Sequence, residues 1–85
     1  MQNPVKLLHL VNNQILVTQL TEVPSELGEP DCKMTEPFLV NESGELTPWM
    51  LEYTIQNEFM ISSDKILTIA EPNNKLLEKY KSLID

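Results

Sequence analysis

The apolar residues of this chain fall first into short strand-like runs and then into one helical stripe. Residues 5–11, Val-Lys-Leu-Leu-His-Leu-Val, are apolar on both faces of a strand. Residues 14–23 form a second run, rich in the β-branched side chains that suit a pleated, half-buried surface. Asn12-Asn13 lies between them and tolerates the positive φ of a tight turn, so the two runs predict a hairpin. Residues 24–30, bounded by Pro24 and Pro30, read as a loop. A third strand is predicted over residues 32–40, with Pro37 marking an edge or a bulge because it offers no N–H to a ladder. Residues 41–45 supply the next turn, with Gly44 as its positive-φ residue. Further on, Asn73-Asn74 offers a helix cap, and Leu76, Leu77, Tyr80, Leu83 and Ile84 recur at helical spacing. Lys75, Glu78, Lys79, Lys81 and Ser82 lie opposite them. The spacing predicts an amphipathic helix over residues 74–84. It is too short to be stable alone, so its stripe must pack on something, and the open end of the β structure is the expected place.

Residues 46–61 carry two signals. Trp49, Leu51, Tyr53, Ile55, Phe59 and Ile61 recur at period two, with Glu52, Thr54, Gln56 and Glu58 between them. That alternation predicts one long, bent fourth strand. Thr47-Pro48 is also a helix-start pair, and a helix here is the alternative. A fifth strand is predicted over residues 65–70. Two apolar arms thus meet at the polar corner Ser62-Ser63-Asp64-Lys65, a tight strand-to-strand connection. Residues 1–85 read as one domain without repeats, low-complexity segments or linkers. Its five strands occupy about residues 5–72, and its helix about residues 74–84.

Composition narrows the functional classes. A chain of 85 residues buries only about 60 to 65% of its unfolded surface. Domains of this size often lean on a metal, a disulfide or an oligomer. Cys32 is the only cysteine, which excludes a disulfide within the chain, and with His9 it makes a poor zinc set. Oligomerisation remains, and the 41% apolar content leaves material for an interface. Residues 1–6 lack the pattern of an export signal, and no apolar run approaches the ~20 residues that cross a bilayer. A reducing cytoplasm and no membrane contact are therefore expected. Thirteen acidic residues stand against six basic ones, all lysines, for a net charge of −7. That balance works against general nucleic-acid binding, which needs cations on phosphates. Lys65, Lys75, Lys79 and Lys81 all come late in the chain, so an anion site would be local or built by repetition around a symmetric oligomer. The sequence offers no nucleophile–base pair, metal cluster or phosphate loop, so neither an enzyme nor a cofactor is expected.

Ile61-Ser62-Ser63-Asp64-Lys65-Ile66 resembles the second signature motif of the Sm-like family, approximately Ile-Arg-Gly-Asp-Asn-Ile. It keeps the flanking isoleucines and the aspartate and replaces the arginine and glycine. Asp31-Cys32-Lys33-Met34-Thr35 lies where the family's first motif holds an Asp and an Asn, although no asparagine follows Asp31. The order of a hairpin, a third strand, a long bent fourth and a short fifth, over roughly residues 5–72, is also similar to that family, which includes bacterial Hfq. The small Sm-like proteins carried by phages of marine cyanobacteria look most alike. The resemblance implies a five-stranded, highly bent SH3-like open barrel, here with its amphipathic helix last rather than first. It also implies a homo-oligomeric ring formed by pairing the fourth strand of one subunit with the fifth of the next, a head-to-tail contact that closes on itself. Single-stranded RNA near the pore is the implied ligand. Its contacts would carry over onto Ser62, Ser63, Asp64 and Lys65, with Asp31 and Lys33 beside them. Without the arginine, a stacking contribution of ~1 to 3 kcal/mol per base is missing.

Each of these residues has a plainer reading. Ser62 to Lys65 also suit a turn that needs small polar residues. A strand lysine such as Lys33 commonly points to solvent. His9 reads as a core or interface histidine, Cys32 as an inert, partly buried thiol, and Trp49, Tyr53 and Phe59 as core or interface aromatics. Glu22, Glu26, Glu29, Asp31 and Glu36 form an acidic stretch without the spacing of a calcium loop, which fits a solvated face. A protein-interaction scaffold on the same barrel, with an acidic rim and an apolar helix stripe meeting a protein partner, is the alternative function.

Overall fold

The computed structural model describes residues 4–84; the reading of the first three residues as part of a chain start without an export signal lies outside them. The chain is mainly β, with one C-terminal helix. Its elements are β1 (Val5–Leu10), β2 (Ile15–Glu22), β3 (Cys32–Val40), β4 (Leu46–Pro48), β5 (Glu58–Ile61), β6 (Ile66–Ala70) and α1 (Asn74–Ile84), with a 3-10 turn at Ser63–Lys65. They build one antiparallel sheet in the order β4-β3-β2-β1-β6, and β5 also pairs with β3. The β1–β2 hairpin turns through Asn13, whose φ is +69°, and the β3–β4 turn through Gly44 at +84°. The side chain of Asn41 fixes that second turn by accepting hydrogen bonds from the amides of Ser43 (3.0 Å) and Glu45 (2.8 Å).

Each face of the sheet carries a core, because successive side chains of β1 and β2 feed different clusters. Leu8, Leu10, Leu16, Leu20, Cys32 and Met34 form the first core. Val17, Phe38 and Tyr80 form the second, with Val5, Leu7, Val40, Leu46, Leu76 and Ile84 packed around them. α1 covers that second face, so its stripe packs on the sheet's own surface. The helix starts where Asn73 accepts the Leu76 amide at 2.8 Å, an N-cap contact.

β3 changes face partway. Cys32 and Met34 enter the first core, yet Phe38 enters the second. The extra residue lies between Thr35 and Phe38, where the β2–β3 register slips and Glu36 takes φ +52°. Pro37 therefore marks a bulge in a strand flanked on both sides, not an edge. The bulge bends β3, so that its first half pairs with β5 and its second half with β4. The backbone it frees is satisfied from two sides. The Thr18 hydroxyl donates to the Thr35 carbonyl at 3.0 Å. The Tyr80 hydroxyl is shared between the carbonyls of Thr35 (3.1 Å) and Glu36 (2.8 Å). The Tyr80 ring meets Phe38 edge to face at 5.9 Å.

The long fourth strand expected over residues 46–61 does not form, so among the described residues the sheet has six strands and not five. β4 stops at Pro48, which has no N–H to continue a ladder, and Met50 follows with φ +63°. Trp49 and Phe59 meet edge to face at 5.9 Å in the first core, whereas Leu51 joins the second. Tyr53 and Ile55, expected on a strand face that a core or an interface covers, are 84% and 105% exposed and belong to no strand. The period-two alternation of this segment therefore does not record burial on one face. The helix alternative at Thr47-Pro48 fails as well, since Leu46–Pro48 pairs with β3. Lys65 belongs to the 3-10 turn and not to the last strand. His9 is half-buried, with Nε2 3.4 Å from Asn13 Oδ1.

Among the described residues β5 pairs only with β3, and β6 only with β1, so each strand has a free outer edge. Met60, Leu67 and Ile69 on these strands are about half exposed.

Burial raises the Tyr80 phenol above its ordinary value of 10.0, so the fold holds it neutral. Its contribution is therefore complete below pH 10 and is lost as the pH rises through the higher folded value. Tyr80→Phe should lower stability by about 1 to 2 kcal/mol in urea titrations at neutral pH. The difference between wild type and variant should shrink above pH 10.

Candidate functional site

The corner between β5 and β6 gathers most of the residues singled out in the sequence. Ser62 leaves β5 in extended conformation, and the 3-10 turn that follows closes with the Lys65 amide donating to the Ser62 carbonyl at 3.0 Å. The Val11 amide donates to the Lys65 carbonyl at 3.0 Å, which ties the corner to the end of the first hairpin. Asp31 lies immediately before β3. The antiparallel register sets Cys32 opposite Ile61, so the residue before Cys32 comes beside the residues after Ile61.

The contact is a two-pronged clamp. Asp31 Oδ1 accepts the Ser63 amide at 2.7 Å, and Oδ2 accepts the Ser63 hydroxyl, also at 2.7 Å. These two donors hold the Asp31 carboxyl below its ordinary value, so it is ionised at neutral pH. Cys32 next to it is buried, and desolvation, with the charges of Asp31 and Glu22, pushes its thiol up. That thiol stays protonated and is a poor nucleophile.

The clamp limits what the corner can bind. Both hydrogen-bond donors of Ser63 are spent on Asp31. Lys33, one strand over, has Nζ 3.5 Å from the Glu58 carboxylate. Among the described residues, Asp64 and Lys65 are exposed and make no salt bridge, and the Ser62 side chain donates to no protein atom. The structure thus joins Asp31 to Ser63, sets Ser62, Asp64 and Lys65 around them, and leaves Lys33 paired elsewhere. The carboxylates of Asp31, Glu58 and Asp64 outnumber the ammonium groups of Lys33 and Lys65. What remains for an anion is the Lys65 ammonium and the Ser62 hydroxyl.

Sequence reasoning missed Glu58 as the partner of Lys33, because only the β3–β5 register brings them together. It also missed the exposed loop carrying Tyr53 and Ile55. Its one local signal is Pro48, which cannot donate within a strand.

The clamp makes the corner acid-sensitive. Because the folded pKa of Asp31 is depressed, its contribution is present above 3.8 and is lost as the pH falls through the lower folded value. Asp31→Asn should speed hydrogen exchange of the Ser63 amide severalfold at neutral pH, read by NMR, and leave the core amides unchanged. Equal protection in the variant would mean that the carboxylate does not hold the corner.

A family model described as a family of unknown function (DUF6561) matches residues 3–85. No curated protein matches the chain.

Proposed function

We propose that this chain, which belongs to the family of unknown function DUF6561, is a ring-forming binding module of the Sm-like kind and not an enzyme. In this reading the bent sheet is an SH3-like open barrel, with β4 and β5 together taking the place of a single long fourth strand. The strand order supports it, because the last strand returns beside β1 while the strand before it lies on β3. So does the 3-10 turn between those two strands. The observation that carries the assembly is the pair of free edges on β5 and β6. Backbone N–H and C=O groups along such edges call for a partner strand, and the outer edge of β5 can supply one to β6 of the next copy. Repeating that heterologous contact closes a ring. A cytoplasmic location fits the single buried thiol.

The ligand in this reading is single-stranded RNA at the Ser62–Lys65 corners, which repetition gathers around the pore. Lys65 supplies the charge, Ser62 a hydrogen bond, and Asp31 keeps Ser63 and the turn in shape. Asp64 and Lys33 border the site. One Lys65 per subunit becomes a ring of cations in which each strengthens the field of the next.

The Asp31–Ser63 clamp favours a second reading. Spent donors and a local excess of carboxylates suit a protein-interaction scaffold on the same barrel, with an acidic rim facing a basic partner. The sign of the corner charge separates the two, because Lys65→Glu removes the cation that RNA needs and leaves an acidic rim's attraction for a basic partner intact.

Native mass spectrometry at low salt, with and without short U-rich and A-rich oligonucleotides, tests both. A closed assembly of about five to seven copies, with added oligonucleotide mass that Lys65→Glu abolishes, is expected of the RNA-binding ring. The same assembly without oligonucleotide leaves the scaffold. A monomer or a simple dimer overturns the ring.

A further inference from the structure

We infer that α1 is a latch on β5: when the helix lifts, the second core opens and β5 is freed in the same step, with Glu36 as the link. The inference stands on contacts within one chain and does not depend on the ring. α1 and β5 serve different faces of the sheet. Phe59 and Ile61 of β5 pack against the first core, whereas Leu76, Tyr80 and Ile84 of α1 belong to the second. Glu36 of β3 is bonded toward both. Its carbonyl accepts the Tyr80 hydroxyl at 2.8 Å, and its amide donates at 2.7 Å to the carbonyl of Asn57, the residue before β5.

Glu36 holds φ +52°, a left-handed conformation that a residue with a Cβ keeps only where its surroundings impose it. Its two hydrogen bonds impose it here: one comes from the helix and the other leads to β5. When α1 lifts, the Tyr80 hydroxyl leaves and the Glu36 carbonyl opens to water. Glu36 then relaxes toward negative φ, which turns its amide away from Asn57 and loosens the start of β5. The Thr18 hydroxyl still holds the Thr35 carbonyl at 3.0 Å, so the change centres on Glu36.

Both elements are lightly held. α1 has 11 residues, too few to stay helical alone, and Tyr80 is its one fully buried side chain among the described residues. β5 has four residues, none of them fully buried, and among the described residues it pairs with β3 alone. Elements with so little buried surface open at lower free energy than the core they rest on. The β1–β2 hairpin, with Leu8, Leu16 and Val17 fully buried, stays closed when they do. The latch makes one two-sided opening out of two weak attachments.

Hydrogen exchange of the full chain, read by NMR in urea below the unfolding transition, tests the latch, with circular dichroism to check the fold of each variant. In the wild type the α1 amides, the Glu36 amide and the β5 amides bonded to β3 should share one rate of opening, faster than that of β1 and β2. Glu78→Gly weakens α1 at an exposed position on its polar face. It should speed exchange in α1 and in β5 by the same factor, about fivefold for a glycine inside a helix. Glu36→Gly should uncouple the two, because glycine keeps a positive φ without help from the helix. In the Glu36→Gly/Glu78→Gly chain, α1 should then exchange faster while β5 keeps the rate it has in Glu36→Gly alone. Wild-type β5 opening together with β1 and β2, or β5 unmoved by Glu78→Gly while α1 speeds up, would overturn the latch. A rise in β5 that persists in the double variant would overturn Glu36 as the link.

Discussion

The bulge in β3 is the constraint on which the rest of the structure depends, and the Tyr80 hydroxyl is what satisfies it. Without the extra residue near Glu36, β3 would keep one face toward one core along its whole length. Phe38 would then leave the second core, and α1 would lose its main aromatic contact. The bulge also gives β3 two partners along one edge. A bend of this kind takes carbonyls out of the ladder inside the fold, and an unsatisfied buried acceptor costs about 1 to 3 kcal/mol. Thr18 from the sheet and Tyr80 from the helix meet that demand together. The helix is therefore part of the sheet's architecture as much as a cover for it.

The same bend sets up the corner. Because the first half of β3 turns toward β5, Asp31 reaches Ser63 across 32 positions of sequence. The carboxylate organises the turn but also adds a fixed negative charge to it. A site built this way holds its shape well and attracts anions poorly, unless several Lys65 side chains act together. That tension separates an RNA pore from an acidic protein-binding rim, and it comes from one aspartate in two roles.

Much of the fold was legible in the sequence because its signals are local. The Asn12-Asn13 turn, Gly44, the Asn73 cap and the stripe through Leu76 and Tyr80 each report on neighbours a few residues away. Pro37 was legible as an irregularity, although whether as an edge or a bulge depended on strands far along the chain. The fourth strand is not legible in the sequence, because period-two alternation does not by itself mean one buried face. Here Trp49 and Leu51 enter different cores, and Tyr53 and Ile55 enter neither. At the corner, the sequence grouped Ser62 to Lys65 correctly as neighbours, but the Asp31–Ser63 clamp and the Lys33–Glu58 pair depend on long-range register. No spacing rule encodes contacts of that kind.

The Tyr80 contact also bears on how the chain reaches this structure. Its hydroxyl meets the Thr35 carbonyl over a separation of 45 residues, so the bend in β3 can be secured only after most of the chain has been brought together. Contacts of such long range cost loop-closure entropy before they return any stability, which slows folding. Until the helix docks, the second face and the free strand edges are open to other chains at the same time. Dilute, cool refolding should favour the native chain, and crowded refolding should favour tangled aggregates joined through β5 and β6.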